Sequence, residues 1–159
     1  MFCFFVLAAY TLCLGPMPLS WAWGWRQAKV VSPEGEIKKI EWNEWELYKD
    51  PAKRDVGKTD EASYHIVRLQ GVEPEHTHDT HDLVTTVLKG TGKIYFRDQS
   101  FDLQKGDVVH IPKGVPHWVE NTGPEAMEAY AVFVPPFDGK DFHVTGNQPS
   151  PVRNTYENG

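Results

Sequence analysis

From Ser63 onward the chain alternates short apolar runs with glycine and proline. Ser63 to Leu69 reads as an extended run, and Leu83 to Leu88, rich in Val and Thr, reads as another. Gly90-Thr91-Gly92 turns the chain into Lys93 to Arg97, and Asp98-Gln99 turns it again toward Phe101 to Leu103. After Lys105-Gly106-Asp107 come Val108 to Ile111, a Pro112 to Pro116 corner, His117 to Glu120, and finally Ala126 to Val134 before Pro135-Pro136. Many short strands at this spacing, with Gly and Pro between them, predict an all-β barrel or sandwich.

The region before Ser63 has no such rhythm. Ile37, Ile40, Trp45 and Leu47 suit one face of a short helix or pieces of two strands, and the polar stretch Lys49 to Asp60, carrying Pro and Gly, reads as a loop. Further upstream, Phe2 to Leu14 has the length of a signal-peptide apolar region, Gly15, Pro16 and Pro18 break it, and Ser20 and Ala22 supply small residues where a signal peptidase reads. The expected organisation is a leader over 1–22, an extension over 23–62, a barrel over 63–145 and a flexible tail over 146–159. Glycine and proline interrupt the leader too early for a membrane span, so no membrane association is expected after cleavage.

Composition narrows the function classes. A chain of 159 residues suits one domain with a real core. The formal net charge is −6 and no basic run occurs, which argues against an electrostatic nucleic-acid partner. Both cysteines, Cys3 and Cys13, fall in the leader, so the folded part offers no thiol nucleophile and an exported protein would suit an oxidising compartment. The expected location is periplasmic or secreted. Tryptophan and tyrosine before the barrel make a homodimer the expected assembly.

The candidate chemistry sits in Gly71 to Gly90, which packs His76, His78, His81 and Asp82 together. Residues two apart on an extended segment face the same side, so His76 and His78 present two imidazoles together, half of a metal site. Asp82 shares their parity and a straight strand would aim it inward. A bulge would bring His81 inward instead, and a three-histidine site completed by water is the third arrangement.

At this point the sequence resembles the cupin superfamily. The family's second motif, G-x5-P-x-G-x2-H-x3-N, is met at every fixed position by Gly106, Pro112, Gly114, His117 and Asn121. Its first, G-x5-H-x-H-x(3,4)-E-x6-G, is met by His76 and His78, with Gly71 one residue close and Asp82 where a glutamate is usual. The resemblance implies a single antiparallel jelly-roll-like barrel holding a divalent ion (Fe, Mn, Ni, Zn or Cu) through His76, His78, His117 and Asp82. It does not choose a reaction. The expected function is a metal-dependent enzyme, a dioxygenase-like oxidoreductase or an isomerase, acting on a small oxygen-rich or carboxylated molecule. A non-catalytic periplasmic module that binds a small molecule is the alternative. For proton transfer the sequence offers His65 and His110, each of which also suits a structural role, and Tyr64, Tyr95 and Tyr130 are candidates to face inward. Arg68 is a candidate for holding a substrate carboxylate, and Pro135 to Asp141 for covering the barrel mouth.

Overall fold

The computed structural model describes residues 30–32, 35–37 and 41–146. The expected leader and most of the tail fall outside them. A hairpin of β1 (Val30–Ser32) and β2 (Gly35–Ile37) comes first, followed by a single helical turn α1 (Glu44–Leu47). Asn43 caps this turn through a reciprocal capping box with Glu46, which satisfies two backbone N–H groups and lets so short a helix persist.

Ten further strands follow: β3 (Ala52–Lys58), β4 (Ser63–Leu69), β5 (His76–Thr77), β6 (Asp82–Lys89), β7 (Thr91–Phe96), β8 (Gln99–Gln104), β9 (Val108–Ile111), β10 (Trp118–Asn121), β11 (Met127–Val134) and β12 (His143–Val144). They form a five-stranded sheet in the order β3-β4-β11-β6-β9, a three-stranded sheet β10-β7-β8, and a short pair β12-β5. Every pairing is antiparallel. This is the all-β architecture that the strand pattern predicts, in the jelly-roll-like form that the family resemblance implies.

The strands from β4 onward lie within a residue or two of their expected positions. The polar loop expected over 49–60 is instead strand β3, at the edge of the larger sheet. Its residues after Ala52 are exposed or half-buried, so Lys53, Arg54 and Asp55 are compatible with an edge strand that pairs on one side only. Arg54 also ties the strand to α1, donating to the Glu46 carboxylate through Nε at 2.9 Å.

Inward side chains of both sheets meet in one apolar core built on Leu83, Val87, Ile94, Leu103, Ile111 and Phe133. The core is not filled. A cavity of about 260 Å³ remains between the sheets, bounded by Val67, Leu83, Ile94, Ile111, Ala131 and Phe133 among others. The second motif's glycines belong to the turns that frame it. Gly106 (φ 97°) and Gly114 (φ 74°) are both left-handed, a conformation that a side chain would strain.

Candidate metal centre

His76 and His117 come from the two separate motifs and lie side by side in the barrel. Each donates its backbone N–H to the other's carbonyl at 3.0 Å, forming an isolated antiparallel bridge. Residues that exchange both bonds in this way project to the same face, and here the rings stand 4.3 Å apart. His78 continues the same face of its segment, with its ring 5.0 Å from His76 and 5.5 Å from His117. All three are buried. One nitrogen from each lies within 4.8 Å of the others, an arrangement that could hold a metal ion.

Hydrogen bonding fixes which nitrogen that is. Nδ1 of His76 lies 2.8 Å from the Pro74 carbonyl, Nδ1 of His117 lies 2.8 Å from the Val115 carbonyl, and Nδ1 of His78 is bonded to the Asp141 carbonyl. A carbonyl can only accept, so each Nδ1 carries the proton and each neutral ring keeps its lone pair on Nε2. Burial strengthens this state. It pushes the His76 pKa down to about 3 and that of His117 to about 4, and it lowers His78 as well. Nearby imidazoles add to the effect at His76. Three neutral imidazoles therefore converge on one point, which is the donor set of a divalent transition metal.

Asp82 is not among them. Its Oδ1 accepts the backbone N–H of Lys113 at 3.0 Å, away from the histidines. His81 is buried but also separate, with Nδ1 bonded to the Asp141 carboxylate and Nε2 3.1 Å from the Pro136 carbonyl. The straight-strand parity that would aim Asp82 inward is interrupted at Asp79 and Thr80, where the chain bends. The Asp141 carboxylate organises that bend, accepting N–H groups from Asp79 at 2.8 Å and Thr80 at 3.0 Å and the Thr80 hydroxyl at 2.9 Å. Burial works against this carboxylate, yet the bonds from His81, Thr80 and Asp79 hold it well below the usual carboxylate range.

The other sequence candidates also fall away from the cavity. Arg68 lies outside it and donates to Gln70, and His110 is exposed. Tyr64 stacks on Tyr130, while Tyr95 stacks on Trp118 and donates to Glu120 at 2.7 Å. His65 links Ser63 and Asp55, with its two nitrogens 2.8 Å from the hydroxyl and from the carboxylate oxygen. It belongs to a separate surface pocket.

Two residues not singled out from the sequence do reach the cavity of the three histidines. Lys53 of β3 lines its edge, with Nζ 2.7 Å from Asp55 and 5.1 Å from the centre of the Phe137 ring. Glu73, just ahead of the histidine pair, lines the interior and accepts the Val119 N–H at 3.2 Å. Burial pushes its carboxyl up to about 7. Neither stood out, because Lys53 sat in an apparent loop and Glu73 in a run of surface-like acids; a carboxylate three residues before a buried His-x-His pair is the signal that was there.

The segment after β11 covers the opening. Phe137 and Phe142 line the cavity, Phe142 stacking on His76 at 4.0 Å, and β12 pairs with β5, the strand that carries His76. Asp141 anchors the cover to both His78 and the bend after it.

Comparison with known proteins agrees with this architecture. The Cupin domain family matches residues 65–133. An uncharacterized protein of Aquifex aeolicus is 40% identical over 86 residues, which is 54% of this chain and 70% of that one. A cupin-2 domain containing protein from Shewanella frigidimarina, known from its crystal structure, is 30% identical over 53% of this chain and 80% of its own, with a TM-score of 0.48. An uncharacterized conserved protein with a double-stranded beta-helix domain from Klebsiella pneumoniae superposes with a TM-score of 0.53 over 62% of this chain and 86% of its own, at 22% identity.

Proposed function

Since the chain belongs to the cupin superfamily, we propose that it is a metal-dependent enzyme of the barrel interior, holding a divalent ion through Nε2 of His76, His78 and His117. The observation that carries this reading is the fixed tautomer of all three rings. Each Nδ1 donates to a backbone carbonyl, so each Nε2 lone pair is left facing the cavity, the arrangement by which outer hydrogen bonds orient histidine ligands. Three ligands leave coordination positions open, and a metal held that way supplies Lewis acidity toward an oxygen-bearing ligand.

The cavity walls narrow the ligand class. They are apolar over most of their extent, with polar groups limited to the three histidines, Glu73, Thr85 and the Lys53 edge. An oxygen-rich polyol would leave its hydroxyls without partners there. A small molecule with an apolar body and one carboxylated end fits better, its oxygens toward the histidines and Lys53. Phe142 and Phe137 would exclude water from the bound molecule.

The leader-like apolar stretch read over 1–22 is what supports an exported location. Trp45 and Tyr48 of the helical turn region, 80% and 73% exposed, support a homodimer through that surface. The test of the core proposal is metal stoichiometry of purified protein, with isothermal titration of Mn(II) and Zn(II) into the metal-free form. Stoichiometric binding that is lost in His117→Ala is expected. Absence of binding in the intact protein would leave only a cavity that takes small molecules without metal.

A further inference from the structure

We propose that Glu73 is the acid–base residue of this cavity, taking a proton from the carbon beside the carbonyl of a small, apolar-bodied 2-oxo acid and returning it. The inference rests on the metal-centre reading above and adds to it a reaction step, a substrate class and a residue.

A group that moves protons must face the ligand without being consumed by the metal. Glu73 lines the same cavity as the three histidines, yet it is not one of the residues whose donor atoms lie within 4.8 Å of one another. It is therefore outside the ligand set and inside the reaction space. Its backbone N–H donates to the Val119 carbonyl at 2.9 Å and its Oε2 accepts the Val119 N–H at 3.2 Å. That double hold on β10, two residues from His117, fixes the side chain against the cavity wall. Among the described residues no cationic partner is bonded to its carboxyl. A carboxyl in apolar surroundings with one neutral hydrogen bond keeps its proton toward neutrality, and its pKa is pushed up by burial accordingly. A general acid or base works best when its pKa lies near the ambient pH.

The same cavity selects the substrate. Lys53, whose Nζ is held by Asp55 at 2.7 Å, is the one lysine or arginine on its wall among the described residues, and a substrate carboxylate at the cavity edge would take the place of Asp55 on it. The histidine-held site suits a carbonyl oxygen, and the apolar walls suit a hydrocarbon or aromatic body. A 2-oxo acid carries these groups in that order. The step balances without any oxidant. The C–H bond next to the carbonyl breaks, its proton passes to a Glu73 oxygen, and the electron pair is held as an enolate; reprotonation of the same carbon by Glu73 reverses it.

Phenylpyruvate in deuterated buffer is the probe, with proton NMR following loss of its C3 hydrogens and elemental analysis run on the same samples. Metal-loaded wild-type protein is expected to speed exchange above the buffer rate, and Glu73→Gln to lower it about a hundredfold while keeping its metal. Glutamine still accepts the Val119 N–H, so a purely structural Glu73 would tolerate that change, and Glu73→Asp should restore part of the rate. In the metal-free protein, the infrared band of a protonated carboxyl is expected near neutral pH in wild type and absent in Glu73→Gln. Metal-loaded wild-type protein that exchanges no faster than buffer, unchanged exchange in Glu73→Gln, or absence of that band would each overturn the proposal. Wild-type protein that binds no metal would instead overturn the reading it rests on.

Discussion

The Asp141 residue holds His78 and His81 at once, its carbonyl accepting from His78 Nδ1 and its carboxylate from His81 Nδ1. One residue of the covering segment thus sets both the tautomer of a cavity histidine and the bend that follows it. The histidine cluster and the segment that covers it are a single hydrogen-bonded unit.

That unit gives the first prediction. Asp141→Ala removes the acceptor of two backbone N–H groups, a hydroxyl and an imidazole, all in a buried position. Bonds to a charged group contribute about 1.5–3 kcal/mol, and the orphaned donors add to the cost. A loss of about 3 kcal/mol in urea denaturation is expected. Metal stoichiometry should be kept, because the acceptor of the His78 Nδ1 proton is the Asp141 backbone carbonyl, which alanine retains.

Asp82 and His81 give a second. Asp82→Ala should leave metal stoichiometry unchanged and cost about 1 kcal/mol, the contribution of its bond to Lys113 N–H. His81→Ala should also retain metal but destabilise more, because it leaves the buried Asp141 carboxylate short of a partner. Elemental analysis with parallel denaturation curves checks both. Metal lost in Asp82→Ala alone would return the fourth ligand to that residue.

The pH dependence of the metal-free protein follows from the signs of the shifts. His76 and His117 fall to about 3 and about 4 from 6.5, so below pH 6.5 the unfolded chain binds protons that the folded chain does not. Their contribution to stability is complete above that pH and is lost as pH drops toward the folded values. Glu73 acts oppositely, since its rise from 4.5 to about 7 means that stability is lost as pH increases between those values. Two histidines against one carboxyl predict net destabilisation on acidification. Glu73→Gln should steepen that decline between about pH 4.5 and 6.5, the window where the two effects oppose. Urea midpoints across the range measure it.

Much of the barrel was legible because strand burial writes itself as alternation. Ser63 to Leu69 and Val108 to Ile111 are strands from end to end as read. Edge strand β3 was not legible, since a strand paired on one side at the rim carries Lys53, Arg54 and Asp55 and looks like a loop. The three histidines were legible from spacing within two motifs. The position of Asp82 was not, because parity holds only along a continuous strand and the bend at Asp79 and Thr80 depends on Asp141, far away in sequence. Glu73 was hidden for a related reason: only the fold reveals that one acid of a polar run faces inward.

The central claim is that His76, His78 and His117 hold one divalent ion. Elemental analysis of protein purified without chelator or a histidine tag, beside a His76→Ala, His117→Ala double variant, tests it most directly. About one metal ion per chain in the wild type and none in the variant, with both still folded by circular dichroism, is the predicted result. Wild-type protein that remains metal-free after incubation with Fe(II), Mn(II), Ni(II), Zn(II) and Cu(II) would contradict it.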